Sequence, residues 1–133
     1  MWHPDALANA LSSYLTPEHR DEVSGGCATG SLPVDVSRQP REAQSVFADG
    51  LESYINLISR YCAGSSSVDR QSAIATLSAL VGAIILSRAV RCGRSELSDE
   101  ILQTVETVQK AATRGRPQPE TVKHRAKFGR LCR

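Results

Sequence analysis

Cysteine and histidine are the side chains in this sequence best suited to nucleophilic or metal chemistry. Cys27 follows two glycines, and His19 lies eight residues before it, which is compatible with a Cys–His nucleophile pair. A structural or pocket-lining cysteine is the simpler interpretation, because no sequence pattern pairs the two side chains. We therefore expect no catalytic residue here.

The spacing of the cysteines does not indicate a metal site. Cys27, Cys62, Cys92 and Cys132 lie 35, 30 and 40 residues apart, whereas zinc knuckles and redox dithiols use pairs only a few residues apart. The three histidines are scattered as well. We expect reduced thiols in the cytoplasm, with no metal and no cofactor.

Other enzyme signatures are missing from the sequence. Ser24-Gly25-Gly26 lacks the strand–helix context and the nearby lysine of a phosphate-binding loop. Neither a nucleophile elbow nor a paired-histidine zinc helix is present. The sequence predicts that the chain is not an enzyme.

Charge divides the 133-residue chain into two parts. Residues 1–112 contain 9 Lys/Arg and 13 Asp/Glu, whereas residues 113–133 contain 7 Lys/Arg and one acidic residue, Glu120. This distribution predicts a mildly acidic domain over 1–112 and a basic, poorly ordered tail over 113–133. An arm that contacts phosphate groups is the alternative interpretation of the tail.

The apolar residues recur with helical spacing, and no strand pattern is visible. The predicted helices span roughly 4–15, 41–62, 68–91 and 98–112, with Ser98 as the cap of the last one. Thr16-Pro17-Glu18 is typical of the start of a short helical turn, whereas Gly30 and Pro33 leave 27–38 ambiguous. The expected fold class is all-α.

The third predicted helix is apolar nearly all round, so it requires cover on both sides. Its most apolar stretch, Ala73–Leu86, has 14 residues and is too short to span a bilayer, which favours a buried core helix and no membrane association. In a single domain of four or five helices, the other helices cannot easily bury both sides of the third helix. We therefore expect a two-fold homodimer built as a four-helix bundle from the third and fourth helices. Its predicted interface residues are Ala75, Ala79, Gly82, Ala83, Leu86, Ile101, Val105 and Val108. The alternative is that the fourth helix folds back and covers the third within one chain.

Several segments in order resemble a known family. They are Tyr-Leu-Thr-Pro-Glu-His-Arg-Asp (14–21), Gly-Gly-Cys (25–27), Asp-Val-Ser-Arg-Gln-Pro-Arg (35–41), Phe-Ala-Asp-Gly-Leu-Glu-Ser-Tyr-Ile (47–55), Leu-Ser-Ala-Leu-Val-Gly-Ala-Ile-Ile-Leu-Ser-Arg-Ala-Val (77–90) and Leu-Ser-Asp-Glu-Ile-Leu (97–102). Over about residues 11–112 this succession resembles the C-terminal effector-binding and dimerisation domain of TetR/AcrR-family transcriptional repressors of bacteria.

The resemblance implies an orthogonal helical bundle that binds a small apolar or aromatic effector in a cavity among its helices. The residues expected to line this cavity are Leu11, Cys27, Phe47, Leu51, Tyr54, Ile58, Leu77, Val81 and Ile84, with Leu11 and Cys27 near its mouth. The family's helix-turn-helix head has no counterpart in these residues. We therefore expect no sequence-specific DNA binding by this chain. A helical protein-interaction module with no small ligand is the alternative function.

Overall fold

The computed structural model describes residues 6–22, 24, 27–61 and 67–114. Within these ranges the chain forms six α-helices and one 3-10 turn, and no strand. The helices are α1 (Ala6–Tyr14), α2 (Pro17–Asp21), α3 (Pro33–Val36), α4 (Arg41–Tyr61), α5 (Ser67–Val90) and α6 (Ser95–Arg114), and the 3-10 turn is Ala28–Gly30. The all-α prediction is thus confirmed for this part of the chain. Cys62 and the tail from residue 115 onward lie outside it.

The predicted turn after the first helix is confirmed. Thr16 caps α2, and its hydroxyl oxygen accepts a hydrogen bond from the His19 amide at 3.1 Å. Pro17 occupies the first turn of α2, where a missing amide hydrogen costs nothing. Residues 27–38, which the sequence left ambiguous, form the 3-10 turn and the four-residue helix α3.

α5 is the central helix of the bundle. It packs most extensively against α6 and next against α4, while α1 contacts both α4 and α6. Four residues connect α5 to α6, so the two helices form a hairpin within one protomer. The core consists of Leu7, Leu11, Leu15, Ile58, Ala73, Leu80, Ala83, Ile84 and Leu102, and Tyr14, Ile55, Leu77, Ile101 and Val105 pack against it.

The buried face of α5 mixes the bulky Leu80 and Ile84 with small and polar side chains. Thr76 and Ser87 are buried on it, together with Ala83, whereas the bulky Ile74 is exposed. The assignment of Ala83 to a subunit interface is therefore wrong, because this side chain is already covered inside the protomer. Ile101 and Val105, expected at the same interface, pack at least partly against the core of their own chain.

α6 begins three residues earlier than expected. It starts at Ser95, and Ser98 lies inside its first turns with its side chain fully buried. The prediction that Ser98 caps this helix is wrong, because its hydroxyl group donates to the Ser87 carbonyl oxygen of α5 at 2.7 Å. The Ser98 hydroxyl joins two helices instead of ending one.

α5 is longer than its apolar stretch suggested. Residues Asp69–Val90 have a mean hydropathy of 2.0 and are long and apolar enough to cross a bilayer, although core helices of soluble proteins pass the same test. The argument from length against a membrane span is therefore wrong. Only 33% of the most apolar 18-residue segment of α5 is buried within the protomer. Much of this helix is therefore not covered by the described residues of a single chain.

Candidate functional site

The segment between α1 and α4 is held in place by Arg88 of α5. Its guanidinium group donates to the carbonyl oxygens of Arg20 at 2.7 Å, Gly30 at 2.8 Å and His19 at 3.2 Å. It also donates to the hydroxyl group of Ser31 at 3.1 Å. The last carbonyl groups of a short helix lack intrahelical partners, and a planar guanidinium group can serve several of them at once. Arg88 therefore fixes both the end of α2 and the 3-10 turn.

A second arginine, Arg20, anchors α2 to the start of α6. It is buried, and its Nη1 donates to the Ser98 hydroxyl at 2.8 Å and to the Asp99 carboxylate at 2.6 Å. Asp21 accepts from Arg20 at 2.8 Å and from Arg91 at 2.9 Å. These two hydrogen bonds hold the pKa of the Asp21 carboxyl well below its ordinary range. The network connects α2, α5 and α6 by charge-assisted hydrogen bonds.

Cys27 lies at the point where this anchored segment meets α1 and α4. Its Sγ is 2.6 Å from the Thr29 Oγ1. Burial acts to raise the pKa of the Cys27 thiol, but hydrogen bonds, first of all with Thr29, outweigh it and leave this pKa below its ordinary value. The charge of a Cys27 thiolate in turn raises the pKa of Tyr54 on α4. Cys27 and Tyr54, both predicted to line the effector site, are thus neighbours.

Tyr14 contributes a buried hydroxyl group to the same cluster. Burial raises the pKa of Tyr14 to about 12, and the cluster residues Cys27 and Thr29 also act on it. The hydroxyl oxygen is inaccessible to solvent, and Cys27 and Thr29 lie close enough to act on its pKa, but no described residue forms a hydrogen bond of good geometry with it. Leaving such a group unpaired costs roughly 1–3 kcal/mol. A ligand that supplied a hydrogen-bond partner would recover part of that free energy.

The other predicted effector residues occupy two kinds of position. Leu11, Ile58 and Ile84 are buried in the core, and Leu77 packs against it, so Leu11 lies inside the core and not at a mouth. Phe47, Leu51 and Val81 are half-buried, whereas Tyr54 is 43% exposed. Among the predicted effector residues, Cys27 lies beside Tyr54, and Tyr14 lies beside the same Cys27.

The predicted interface residues on α5 other than the buried Ala83 lie along a partly uncovered stripe. Ala75 is exposed, Ala79 and Gly82 are half-buried, and Leu86 is 58% exposed. A Cβ atom placed at Gly82 would meet nothing within 4 Å among the described residues. On α6, Val108 is 57% exposed. We call Ala75, Ala79, Gly82 and Leu86 the α5 stripe.

Sequence reasoning did not find Arg20, Arg88 or the hydroxyl of Tyr14. Ser87 and Arg88 follow an apolar stretch of the helix, residues 79–86. Polar side chains at such a place indicate hydrogen-bond partners nearby in the folded chain. Nothing in the sequence pointed to the partners of Arg88, because main-chain carbonyl groups 58 to 69 residues away carry no residue signature.

Metal chemistry finds no support in the described part of the chain. No group of three or more His, Cys, Asp or Glu side chains there could hold a metal ion, and Cys27 and Cys92 are both free thiols. The fold defines an all-α helical domain and no narrower class. No protein-family model matches the chain, and no curated protein matches it significantly.

Proposed function

We propose that this chain is the ligand-sensing and dimerisation domain of a TetR-like bacterial transcriptional regulator. It binds a small apolar or aromatic effector, forms a homodimer, works in the cytoplasm without a membrane or a cofactor, and catalyses no reaction. These residues alone do not bind DNA sequence-specifically, since the acidic part of the chain repels phosphate groups.

The observation that carries the sensing role is the buried Tyr14 hydroxyl group without a partner among the described residues. Ligand sites combine an apolar lining with a few convergent polar groups that fix orientation. Around Tyr14 the polar groups belong to Cys27 and Thr29, and the aromatic ring of Tyr54 lies toward solvent. An aromatic effector with one hydroxyl group fits this combination.

The dimer is supported by the partly uncovered α5 stripe. Its small side chains let another helix backbone approach closely, and closed two-fold dimers are the commonest oligomers. A second copy of α5 is the proposed partner, since an isologous interface brings the same stripe of both protomers together about a two-fold axis. Covering it removes apolar surface from water at roughly 25 cal/mol per Å².

Arg88 and Arg20 supply a physical route from the site to the interface. Arg88 lies on α5 and donates to the segment that carries Cys27, while Arg20 of that segment donates to Ser98 of α6, so both helices proposed to form the dimer are bonded to it. A ligand that displaces this segment must break or move these hydrogen bonds. The proposed sensing mechanism is therefore a shift of α5 and α6 driven from the Cys27–Tyr14 cluster.

Two probes of equal ring size test the sensing role. We expect 2-naphthol to bind more tightly than naphthalene, by about 2- to 10-fold, because one neutral hydrogen bond is worth about 0.5–1.5 kcal/mol. The Tyr14→Phe variant should bind both probes equally, whereas Phe47→Leu should keep the preference. Equal affinity of the unaltered chain for both probes, or no saturable binding of either, would rule the site out.

The alternative, a protein-interaction module with no small ligand, is favoured by a different observation. α4 leaves Val46 and Leu57 exposed, so a helical partner protein could pack against it. Failure of both probes to bind, together with unchanged dimerisation, would favour this function.

A further inference from the structure

A cleft with an apolar floor lies between α1, α2 and α6. It has a volume of about 220 Å³, and the buried side chains of Leu15 and Leu102 form its floor. Protein cavities of about 150 Å³ hold a benzene ring, so this cleft has room for one aromatic side chain. It is separate from the Cys27–Tyr14 cluster, with which it shares no lining residue.

Carboxylate groups surround the floor of this cleft. Glu18, Asp99 and Glu106 line it beside the uncharged polar side chains of Ser12, Thr16 and Gln103. Asp99 is paired with Arg20 and Glu106 with Lys110, each at 2.6 Å. Glu18 is exposed and makes no ion pair within the described ranges. The cleft therefore suits an apolar group flanked by positive charges.

This chain contains such a segment outside the described residues. Residues 121–133 read Thr-Val-Lys-His-Arg-Ala-Lys-Phe-Gly-Arg-Leu-Cys-Arg, with five Lys/Arg and no acidic residue. Phe128 has Lys127 directly before it and Arg130 two residues after it. One aromatic ring with a cation on either side matches an apolar floor with carboxylates at its rim.

The length of the connecting chain suits this contact. Leu102 lies twelve residues before the end of α6 at Arg114, which is about 18 Å along the helix axis at about 1.5 Å per residue. Phe128 lies fourteen residues after Arg114, and a chain of that length reaches at most about 46–50 Å at about 3.3–3.6 Å per residue. The connecting residues are therefore long enough for Phe128 to reach the cleft of its own chain.

We propose that residues 121–133 bind in this cleft of their own chain. Phe128 covers Leu15 and Leu102, while Lys127 and Arg130 face the carboxylates of Glu18 and Glu106. The basic segment then binds to its own domain, and its bound residues cannot contact phosphate groups at the same time. This proposal does not depend on the proposed effector function, because it involves different residues.

Zero-length carbodiimide cross-linking of the full chain tests it, because the sequence contains only three lysines, Lys110, Lys123 and Lys127. Mass spectrometry should find Lys127 joined to Glu18 or Glu106 at least five times more often than to the exposed Glu42 or Asp49 of α4. Lys110 joined to Glu106 is the internal standard, since these groups are 2.6 Å apart. Phe128→Ser should reduce the Lys127 products about fivefold and leave the standard unchanged.

Two further experiments distinguish binding within one chain from binding between copies and test the contribution of charge. Mixing light and ¹⁵N-labelled chains identifies products formed between copies, and a majority of mixed products would overturn binding within one chain. Raising the salt concentration from 0.05 to 0.5 M should lower the yield, because the charges at the rim are screened. Lys127 products spread evenly over all exposed carboxylates, or unaffected by Phe128→Ser, would overturn the proposal.

Discussion

Ser98 of α6 donates a hydrogen bond to the carbonyl oxygen of Ser87 of α5 at 2.7 Å, and both side chains are fully buried. The same Ser98 hydroxyl accepts from Arg20 at 2.8 Å. A single hydroxyl group therefore joins three helices in the interior of the domain. Buried polar networks of this kind are costly to break when a partner is left unpaired.

Ser98→Ala should lower the free energy of unfolding by about 1–2 kcal/mol, because it removes one buried hydrogen bond and leaves Arg20 with one fewer acceptor. Urea unfolding at a fixed protein concentration measures this. Ser95→Ala, at the exposed start of α6, is the matched control and should cost less. An equal loss in both variants would contradict the tertiary role of Ser98.

Arg88→Lys should loosen the segment that carries Cys27. An ammonium group cannot reproduce the planar set of donors that serves Arg20, Gly30 and His19, so we expect a loss of about 1–3 kcal/mol. Hydrogen exchange should speed up over residues 19–31 more than over α4. Arg41→Lys, an exposed position on α4, should change neither quantity. Unchanged exchange at 19–31 in Arg88→Lys would show that this clamp is dispensable.

Acid should destabilise the fold through Asp21. The pKa of Asp21 is lower in the folded chain than the unfolded value of about 3.9. Its ionised form therefore stabilises the fold above that value, and this contribution is lost as the pH falls through the folded-state pKa. Thermal unfolding between pH 7 and pH 2 should show a smaller decrease in Tm for Asp21→Asn than for Asp49→Asn. The opposite order would be inconsistent with the Arg20–Asp21–Arg91 network.

Tyr14 should be the last tyrosine to ionise. The pKa of Tyr14 is raised to about 12, chiefly by burial, and the pKa of Tyr54 is raised by the neighbouring Cys27. Since the unfolded chain ionises near pH 10, stability should decrease between pH 10 and pH 12 as the unfolded state releases its proton first. Absorbance at about 295 nm follows phenolate formation, and Tyr14→Phe should remove the latest step of the titration. A titration whose latest step survives this substitution would place the buried hydroxyl elsewhere.

The sequence predicted the positions of the long helices well, but it did not predict which side of each helix is buried. Apolar periodicity located α4 and α5 to within one or two residues, because capping and glycine signals mark their ends. It could not orient α5, since a helix that is apolar all round offers several equivalent stripes. Ala83 was consequently assigned to the subunit interface, although it is buried within the protomer, and the buried Thr76 was not recognised.

The candidate site was predictable only in part, for a related reason. Cys27 and Tyr54 were identified from a resemblance, and the structure does bring them together. Arg20 and Arg88 have partners that are distant in sequence, and several of those are main-chain carbonyl groups. No pattern of residue types reveals such contacts before the chain is folded.

Two glycines provide a matched pair for testing the subunit interface. Gly82 on the α5 stripe and Gly50 on α4 are both helical, and an added Cβ at either would meet nothing within 4 Å among the described residues. Leucine is also a better helix former than glycine by up to about 1 kcal/mol. Neither substitution should therefore harm the protomer, and only Gly82→Leu should disturb a partner helix.

Sedimentation equilibrium of the detergent-free chain at tens of micromolar, roughly where stable dimers stay paired, tests the central claim most directly. We expect twice the 14.4 kDa chain mass for the unaltered protein and for Gly50→Leu. Gly82→Leu should weaken association by about tenfold or more, equivalent to about 1.4 kcal/mol. A 14.4 kDa monomer for the unaltered chain at this concentration, or equal association of both variants, would contradict a dimer formed through the α5 stripe.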